Sequence, residues 1–417
     1  MKSSFSKFDD LVSFVAMTLV SALACPPALA SGPGITNDFG GKRVLIIGID
    51  GCRSDALQAA DAPNIRALMA AGVTTWTGTA GGELNGVTQQ STVSGPGWTT
   101  ILTGRYANVH GVTGNATAPY DTPGGYQVSQ APHFAKRLKE LVPTSSFSSV
   151  VSWNWIEDYI VAAQPSDFSY HAKAAEASYP DRDLEVKNKA VAQLAGADPD
   201  VLFVHFDQVD GAGHSSGFNV TNPAYMGAIR IVDDHVGSIV NAMKSRPQYA
   251  KENWLIVVTT DHGGTPEGVH GGQSVGERTI PVIVSGNGVD HGRTDATTLG
   301  HHIIPAIAFK HLGLPADPEW QAGIFGFPPY LDTEAAENAV HLRWEMPADG
   351  LAGLTAIEIR RGGTLVGTLP ATAREYKDSP APPAGSSSVY EVTFLGTGEI
   401  RTATVTPPAS PDVSSNQ

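Results

Sequence analysis

The chain has 417 residues, is 41% apolar and carries a formal net charge of −14. Such a length and apolar content hold one large α/β domain plus a small module, and exclude an intrinsically disordered chain. The acidic balance, with no cluster of Lys or Arg, excludes a nucleic-acid polymer as the expected partner and leaves a small molecule as substrate.

Residues 1–30 have the layout of a secretory signal peptide: Lys2 and Lys7 precede an uncharged run over 11–25, and Ala28-Leu29-Ala30 offers a cleavage site. Asp9 and Asp10 are unusual in such a leader. The run is shorter than the roughly 20 apolar residues of a membrane span, so no transmembrane segment is expected and the expected location is periplasmic or secreted. Cys25 raises a lipoprotein alternative, but Ala22-Leu23-Ala24 sets leucine one place too late for a lipobox. Cleavage removes two lysines and two aspartates, leaving the charge at −14 and Cys52 as the remaining cysteine. One thiol forms no disulfide within a chain, and Cys52 reads as a small apolar filler under a strand end rather than a nucleophile.

Val44-Leu45-Ile46-Ile47-Gly48-Ile49-Asp50-Gly51 is an apolar run closed by a carboxylate. Both faces of such a run need cover, which predicts a buried strand of a parallel sheet. Asp50 then emerges beyond the carboxyl end, where open α/β sheets bind ligands. Leu57, Ile65, Leu68 and Met69 have helical spacing over 55–71, interrupted near Pro63, and complete a βα unit. Residues 80–96, rich in Gly, Ser and Thr, predict a loop, followed by a helix that begins near Pro96 and runs through Ile101 and Leu102. The segment 108–130 predicts a rim loop, 134–141 a helix, 149–153 a strand and 184–194 a helix. Val201-Leu202-Phe203-Val204-His205-Phe206 predicts a second buried strand ending near Asp207 and Asp210, with a long helix over 223–244. A third strand, 254–260, ends at Asp261; a fourth covers 280–284, and a helix over 302–312 closes the domain. The alternation predicts an α/β fold over 31–328, a doubly wound and mostly parallel sheet.

After Pro328 the texture changes. Alternating patterns at 340–344, 356–360, 364–369 and 390–394, separated by Gly and Pro turns, predict a small β-sandwich over 335–408. Trp344 on an early strand and Tyr390 on a late one resemble a fibronectin type III-like module, either a plain structural appendage or a contact to surface glycans. The Pro/Ser-rich tail, 409–417, is expected to be disordered.

Three strand ends deliver acids and imidazoles to one edge of the sheet: Asp50, then Asp210 with His214, then Asp261 with His262. A lone acid there is commonplace as a helix cap. Three acids packed together repel one another, and divalent cations relieve that repulsion. Mixed Asp/His sets favour zinc or a similar ion, and two ions about 4 Å apart form a clamp for in-line displacement at phosphorus.

Asp50-Gly51, Thr103-Gly104-Arg105-Tyr106 with His110-Gly111, Asp210-Gly211-Ala212-Gly213-His214 followed by Gly217, and Asp261-His262-Gly263 together resemble the alkaline phosphatase superfamily. Within it they are most similar to the type I phosphodiesterase/nucleotide pyrophosphatase group, over about residues 43–315. The resemblance implies a metal-dependent phosphoester hydrolase of phosphodiesterase or nucleotide pyrophosphatase type, with two divalent ions, zinc or manganese, and a phosphoseryl intermediate. It sets the nucleophile nine residues before Thr103, at Ser94, where Pro96 suits a first helical turn and free N–H groups favour an anion. One ion falls to Asp50, Asp261, His262 and Ser94, the other to Asp210, His214 and His270. His301 and His302 are the fallback for His270; Asp207 is the rival of Asp210, but only Asp210 stands four residues before His214. The asparagine the family carries three residues after the nucleophile is Gly97 here. The phosphoryl-oxygen contact is therefore expected from a backbone N–H there, from Trp98 or from Asn154. His205 and His110 read as structural or supporting.

A phosphomonoesterase on the same scaffold usually adds a Lys or Arg for the extra phosphate charge, and Arg53 and Arg105 have structural roles open to them. A sulfatase needs Cys or Ser in a C/S-x-P-x-R context, and Cys52-Arg53-Ser54-Asp55 lacks the proline. A cofactor-independent phosphoglycerate mutase lacks room for its inserted domain before Asp210. A non-catalytic surface-binding relative would not need the full set of acids and imidazoles.

Overall fold

The computed structural model describes residues 37–315 except 165, 173–177, 287–288, 290 and 296–298, together with 317 and with 331–405 except 337–338, 345–352, 374, 384–385 and 398. The expected signal peptide, Cys25 and the tail 409–417 lie outside the described residues.

The run that ends on Asp50 is the centre of the sheet. Strand β1 (Lys42–Ile49) lies between two parallel neighbours that come later in the chain, Val201–Phe206 and Asn253–Thr259, with Val44 opposite both Val201 and Leu255. In chain order the strands are β1, β2 (Gly72–Thr79), β3 (Phe147–Val151), β4 (Phe168–His171), β5 (Val201–Phe206), β6 (Asn253–Thr259), β7 (Thr279–Gly286) and β8 (Arg293–Asp295). Their spatial order is β4-β3-β5-β1-β6-β7-β2-β8. Only the pairings of β7 are antiparallel. The chain leaves β6 and re-enters the sheet from the same edge, and without a crossover it must run back the other way. Pro281, in β7, has no N–H for the ladder, and β2 shifts register opposite it, between Thr75 and Gly78.

Helices cover both faces, as continuous apolar strands require. On one face Leu45, Ile47 and Ile49 of β1 pack with residues of α1 (Ser54–Ala59) and α2 (Pro63–Ala70), and of two long helices, 179–196 and 223–244. On the other, Val44 and Ile46 pack with α3 (Ser94–Thr103), α5 (Phe134–Leu141) and α10 (Ile304–Leu312). Single turns α4 (Ala107–His110) and α9 (Val275–Arg278), with α6 (Tyr179–Gly196), α7 (Gln208–Ser216) and α8 (Pro223–Lys244), complete the set. The expected helices over 134–141 and 223–244 begin where His133 and Asn222 accept backbone N–H groups of the first turn. Helix α6 starts earlier than its apolar spacing suggests, because Ser178 caps it and Pro180 suits its first turn.

Gly48 interrupts the apolar run of β1 for a reason of packing. A Cβ there would lie 2.3 Å from the indole of Trp98, so α3 can press its ring onto the strand only if this position is glycine.

Beyond the α/β part, β9 (Leu331–Ala336), β10 (Ala339–Trp344) and a later strand at 375–378 form an antiparallel sheet; β11 (Ala356–Arg361), β12 (Thr364–Pro370), β13 (Glu375–Asp378), β14 (Ser388–Leu395) and β15 (Glu399–Val405) complete the count. The orders are β13-β10-β9 and β12-β11-β14-β15. Val340, Leu342 and Trp344 from one sheet share a buried cluster with Ile357, Ile359, Tyr390, Val392 and Phe394 from the other, which is the inward-facing alternation of a sandwich. Its first strand begins at Leu331, a few residues before the expected boundary. No helix among the described residues is long and apolar enough to cross a membrane.

Candidate active site

The three central strands end side by side, and each delivers its acid to the same place. The Asp50 N–H still donates to Phe206 O at 2.9 Å, so the β1–β5 ladder holds Asp50 level with the exit of β5. That exit becomes α7, whose first turn carries Asp210. One turn later His214 brings Nε2 to 3.2 Å from Asp210 Oδ2, the i,i+4 relation of a helix. At the exit of β6 the Thr260 hydroxyl donates to His262 O at 2.9 Å and holds the turn in which Asp261 and His262 point the same way. His262 Nε2 lies 3.2 Å from Asp261 Oδ2 and 3.5 Å from Asp50 Oδ1.

Ser94 is the first residue of α3, which begins two residues before the expected Pro96. Its Oγ stands 3.2 Å from His262 Nε2 and 3.5 Å from Asp50 Oδ1. His270 joins from the loop after β6. Its Nε2 is 2.9 Å from His214 Nε2 and 3.7 Å from Asp210 Oδ1, and its ring stacks on His262 at 3.9 Å. The seven residues expected to bind the ions thus lie close together beyond the ends of β1, β5 and β6. The fallback pair does not: His302 Nδ1 faces Tyr106 OH at 2.7 Å, and neither His301 nor His302 falls in a group of close ligand atoms among the described residues. His110 is likewise buried in structure, its Nε2 3.1 Å from the Thr100 hydroxyl.

The hydrogen bonds decide whether these side chains suit cations. His262 Nδ1 donates to Gly263 O (2.8 Å), His214 Nδ1 to Gly268 O (2.9 Å) and His270 Nδ1 to Thr92 O (3.0 Å). In its neutral form each ring therefore keeps its hydrogen on Nδ1 and turns the Nε2 lone pair inward, the tautomer that binds metal. Two such nitrogens, on His214 and His270, face each other at 2.9 Å, an approach that a shared cation site would explain. Asp210 Oδ1 and Asp261 Oδ2 are buried and have no hydrogen-bond partner. Unpaired buried acceptors are costly, and divalent cations with N and O ligands would satisfy all of them. Asp50, Asp261 and His262 form one close group and Asp210, His262 and His270 another.

Electrostatics points the same way. Burial, followed by the charges of Asp50 and Asp210, pushes the Asp261 carboxyl well above its ordinary range. Burial also raises Asp210, although the hydrogen bond from His214 opposes it, and that same bond pushes His214 up to about 9. Burial, then the charge of His262, pushes His270 down to about 4. Asp50 is the exception: burial would raise it, but the hydrogen bond from His205, the charge of His262 and the Trp98 N–H hold it well below the usual carboxylate range. Without cations the cluster holds more negative charge than it can solvate.

The three groups expected to contact a phosphoryl oxygen have other partners in the structure. The Gly97 N–H already donates to Val93 O at 3.1 Å, and a Cβ at Gly97 would lie 2.8 Å from Asp261 Cβ, so the family's asparagine has no room there. Trp98 is fully buried and donates its indole N–H to Asp50 Oδ2 at 2.8 Å. Asn154 is exposed and donates to Asp158. Asn115, not singled out by the sequence, sits beside Gly95 at the start of α3: its Oδ1 accepts the Gly95 N–H at 2.8 Å, a bond that does not use its amide hydrogens. It lies 20 residues from Gly95 in an irregular loop, and no local pattern marks it. Arg53 is structural, donating to Phe218 O and Gly264 O and pairing with Asp55. Cys52 is buried, and burial, aided by Asp55, pushes its thiol up to about 12, so it is no nucleophile. The Ser-x-Pro of a sulfatase signature does occur, at Ser94-Gly95-Pro96, but buried Trp98 stands where that signature needs arginine.

The chain is similar to several known proteins. It is 24% identical over 254 residues to the bis(5'-adenosyl)-triphosphatase enpp4 of Xenopus laevis, covering 59% of this chain and 52% of that protein. It is 32% identical over 103 residues to GPI ethanolamine phosphate transferase 1 of Neurospora crassa, 25% of this chain and 10% of that one. The chain thus spans about half the length of the first relative and a tenth of the second. Among solved structures, murine ectonucleotide pyrophosphatase/phosphodiesterase 5 superposes with a TM-score of 0.50 at 16% identity, covering 66% of this chain and 96% of that one. BT1596, a 2-O GAG sulfatase, superposes with a TM-score of 0.54 at 13% identity, covering 87% and 84%. These two likenesses establish the fold, a mostly parallel sheet with helices on both faces. The sequence model of type I phosphodiesterase / nucleotide pyrophosphatase matches residues 44–272, from the first residues of β1 to the loop that carries His270. The chain belongs to the type I phosphodiesterase / nucleotide pyrophosphatase family.

Proposed function

We propose that this protein hydrolyses phosphodiesters or nucleotide pyrophosphate bonds of small molecules through a phosphoseryl intermediate on Ser94. The observation that carries the reading is a hydroxyl at the start of a helix, 3.2 Å from His262 Nε2 and 3.5 Å from Asp50 Oδ1, beside a second set of ligand atoms from Asp210, His214 and His270. Asp50, Asp261 and His262 would hold one divalent ion with Ser94, and Asp210, His214 and His270 the other, zinc being favoured by the mixed N/O set. Such ions would supply acidification of the attacking hydroxyl and neutralisation of charge on the phosphoryl and leaving oxygens.

The residues themselves do the rest. Ser94 Oγ attacks phosphorus as the bond to the leaving oxygen breaks, and water then attacks the phosphoseryl group to release phosphate ester and restore the hydroxyl. The Ser94 hydroxyl donates toward Asp50 Oδ1 at 3.5 Å, and its Oγ stands 3.2 Å from His262 Nε2, among the atoms that would hold the ion. Asn115 offers its amide N–H groups to a phosphoryl oxygen, anchored by its bond to Gly95. The burial of Ser94, Asp50 and His262 keeps these side chains in place before substrate arrives.

Export through a cleaved signal peptide, a fibronectin type III-like identity for the C-terminal sandwich and its contact with surface glycans form part of the same proposal. The test is a comparison of rates on an aryl phosphate diester, an aryl phosphate monoester and an aryl sulfate. The diester should be fastest; a dominant sulfate rate would overturn the assignment to phosphorus, and a dominant monoester rate would move the enzyme to the phosphomonoesterases.

A further inference from the structure

A fourth imidazole reaches the acids, and its hydrogen bonds run the other way. The Trp153 N–H points at His205 Nδ1 (3.5 Å), so the ring hydrogen belongs on Nε2, which lies 3.1 Å from Asp50 Oδ2. The same carboxylate oxygen accepts the Trp98 indole N–H at 2.8 Å. Oδ2 is therefore filled by two N–H donors, while Oδ1 faces Ser94 Oγ and His262 Nε2, both at 3.5 Å. Asp50, His205 and Asp207 are close enough together to suggest a third cation site. The tautomer argues against it, because an Nε2 that carries hydrogen has no lone pair to give. Asp207 is also engaged, by the Arg182 guanidinium at 3.1 Å.

We propose that His205 and Trp98 are positioning residues that clamp Asp50 through Oδ2 and leave Oδ1 as the one oxygen it presents to a cation. The two rings hold each other edge to face at 4.7 Å and 89°, and both are fully buried. Gly48 is what lets the indole approach β1 closely enough to donate. A carboxylate held by one oxygen neither swings into a bidentate pose nor rotates away from Ser94, and partners of this kind typically set metal affinity by roughly 10–100-fold. The inference rests on the two-cation reading above.

The test is zinc affinity and stoichiometry of the full chain, by competition with a chromophoric chelator, in wild type, Trp98→Phe, His205→Leu and His205→Gln. Trp98→Phe and His205→Leu should each weaken the tighter-held zinc by about 10–100-fold, with two equivalents still bound. His205→Gln, whose amide N–H can reach the same oxygen, should recover most of the loss. Wild-type affinity in both Trp98→Phe and His205→Leu, or no recovery in His205→Gln when Trp98→Phe is also unchanged, overturns the clamp. A third equivalent in the wild type that His205→Leu loses makes His205 a ligand and overturns it too. Failure of the wild type to take up zinc or manganese instead removes the two-cation reading, and the clamp with it.

Discussion

Gly97→Ala probes a close approach between the helix that carries the proposed nucleophile and the strand end that carries two of the proposed ligands. The added Cβ would lie 2.8 Å from Asp261 Cβ and 3.1 Å from Asp261 O. Carbon atoms relax at about 3.5 Å or more, so the α3 end and Asp261 must part by roughly 0.7 Å. Both sides of that contact belong to the site, since Ser94 Oγ is 3.2 Å from His262 Nε2. A misplacement on the order of 1 Å lowers turnover by about 10²-fold. Overpacking costs about 1–3 kcal/mol, and the better helix propensity of alanine offsets up to about 1 kcal/mol of it. The expected result is a 10²-fold loss in kcat with a net destabilisation of about 0–2 kcal/mol. Gly227 in α8, where a Cβ would meet nothing within 4 Å, is the control: Gly227→Ala should leave kcat alone and raise Tm. The assay is steady-state hydrolysis of whichever aryl ester the wild type prefers, with thermal melts of all three proteins. Wild-type kcat in Gly97→Ala would show that this close approach does not set the geometry.

Ser94→Ala should lower turnover by at least about 10³-fold while bound zinc stays at the wild-type level, measured by elemental analysis; undiminished turnover removes Ser94 from the mechanism. Two successive in-line displacements restore configuration, so a phosphorothioate diester of known chirality should be cleaved with net retention at phosphorus. Inversion would mean direct attack by water. Zinc must displace the proton that His214 holds up to about pH 9. Zinc affinity should therefore fall as pH is lowered from 9 to 6, with protons released on binding; a flat profile by calorimetry in two buffers contradicts the assignment. In the metal-free protein the folded pKa of His214 lies above its unfolded value, so its stabilisation is full below about pH 6.5 and is lost as pH rises through about 9. The sandwich has its own buried cluster, and residues 329–417 expressed alone should melt cooperatively. Deleting them should lower binding to glycan surfaces without lowering turnover on a soluble ester; equal binding by the shortened chain ends the glycan proposal.

Sequence alone determined the sheet's spine and located most of the acids and imidazoles gathered at its edge. β1, β5 and β6 are apolar on both faces, and β-sheet burial writes that directly into the chain. Asp50, Asp210, Asp261 and His262 lie within a few residues of those strand ends, and His214 follows Asp210 by one helical turn, so their positions follow from local chemistry. Strands β2, β4 and β8 were not legible: Gly72-Val73-Thr74-Thr75-Trp76-Thr77-Gly78-Thr79 has no apolar run, and it is a strand because β7 lies beside it. Tertiary structure also decided the tasks of Trp98, Gly97, His205 and Asn115. Each depends on what arrives from elsewhere in the chain: Asp50 accepts from Trp98 and His205 across 48 and 155 residues, and Gly95 meets Asn115 across a loop. A hydrogen-bond partner is a property of three-dimensional neighbourhood, and a periodic pattern along the chain carries no record of it.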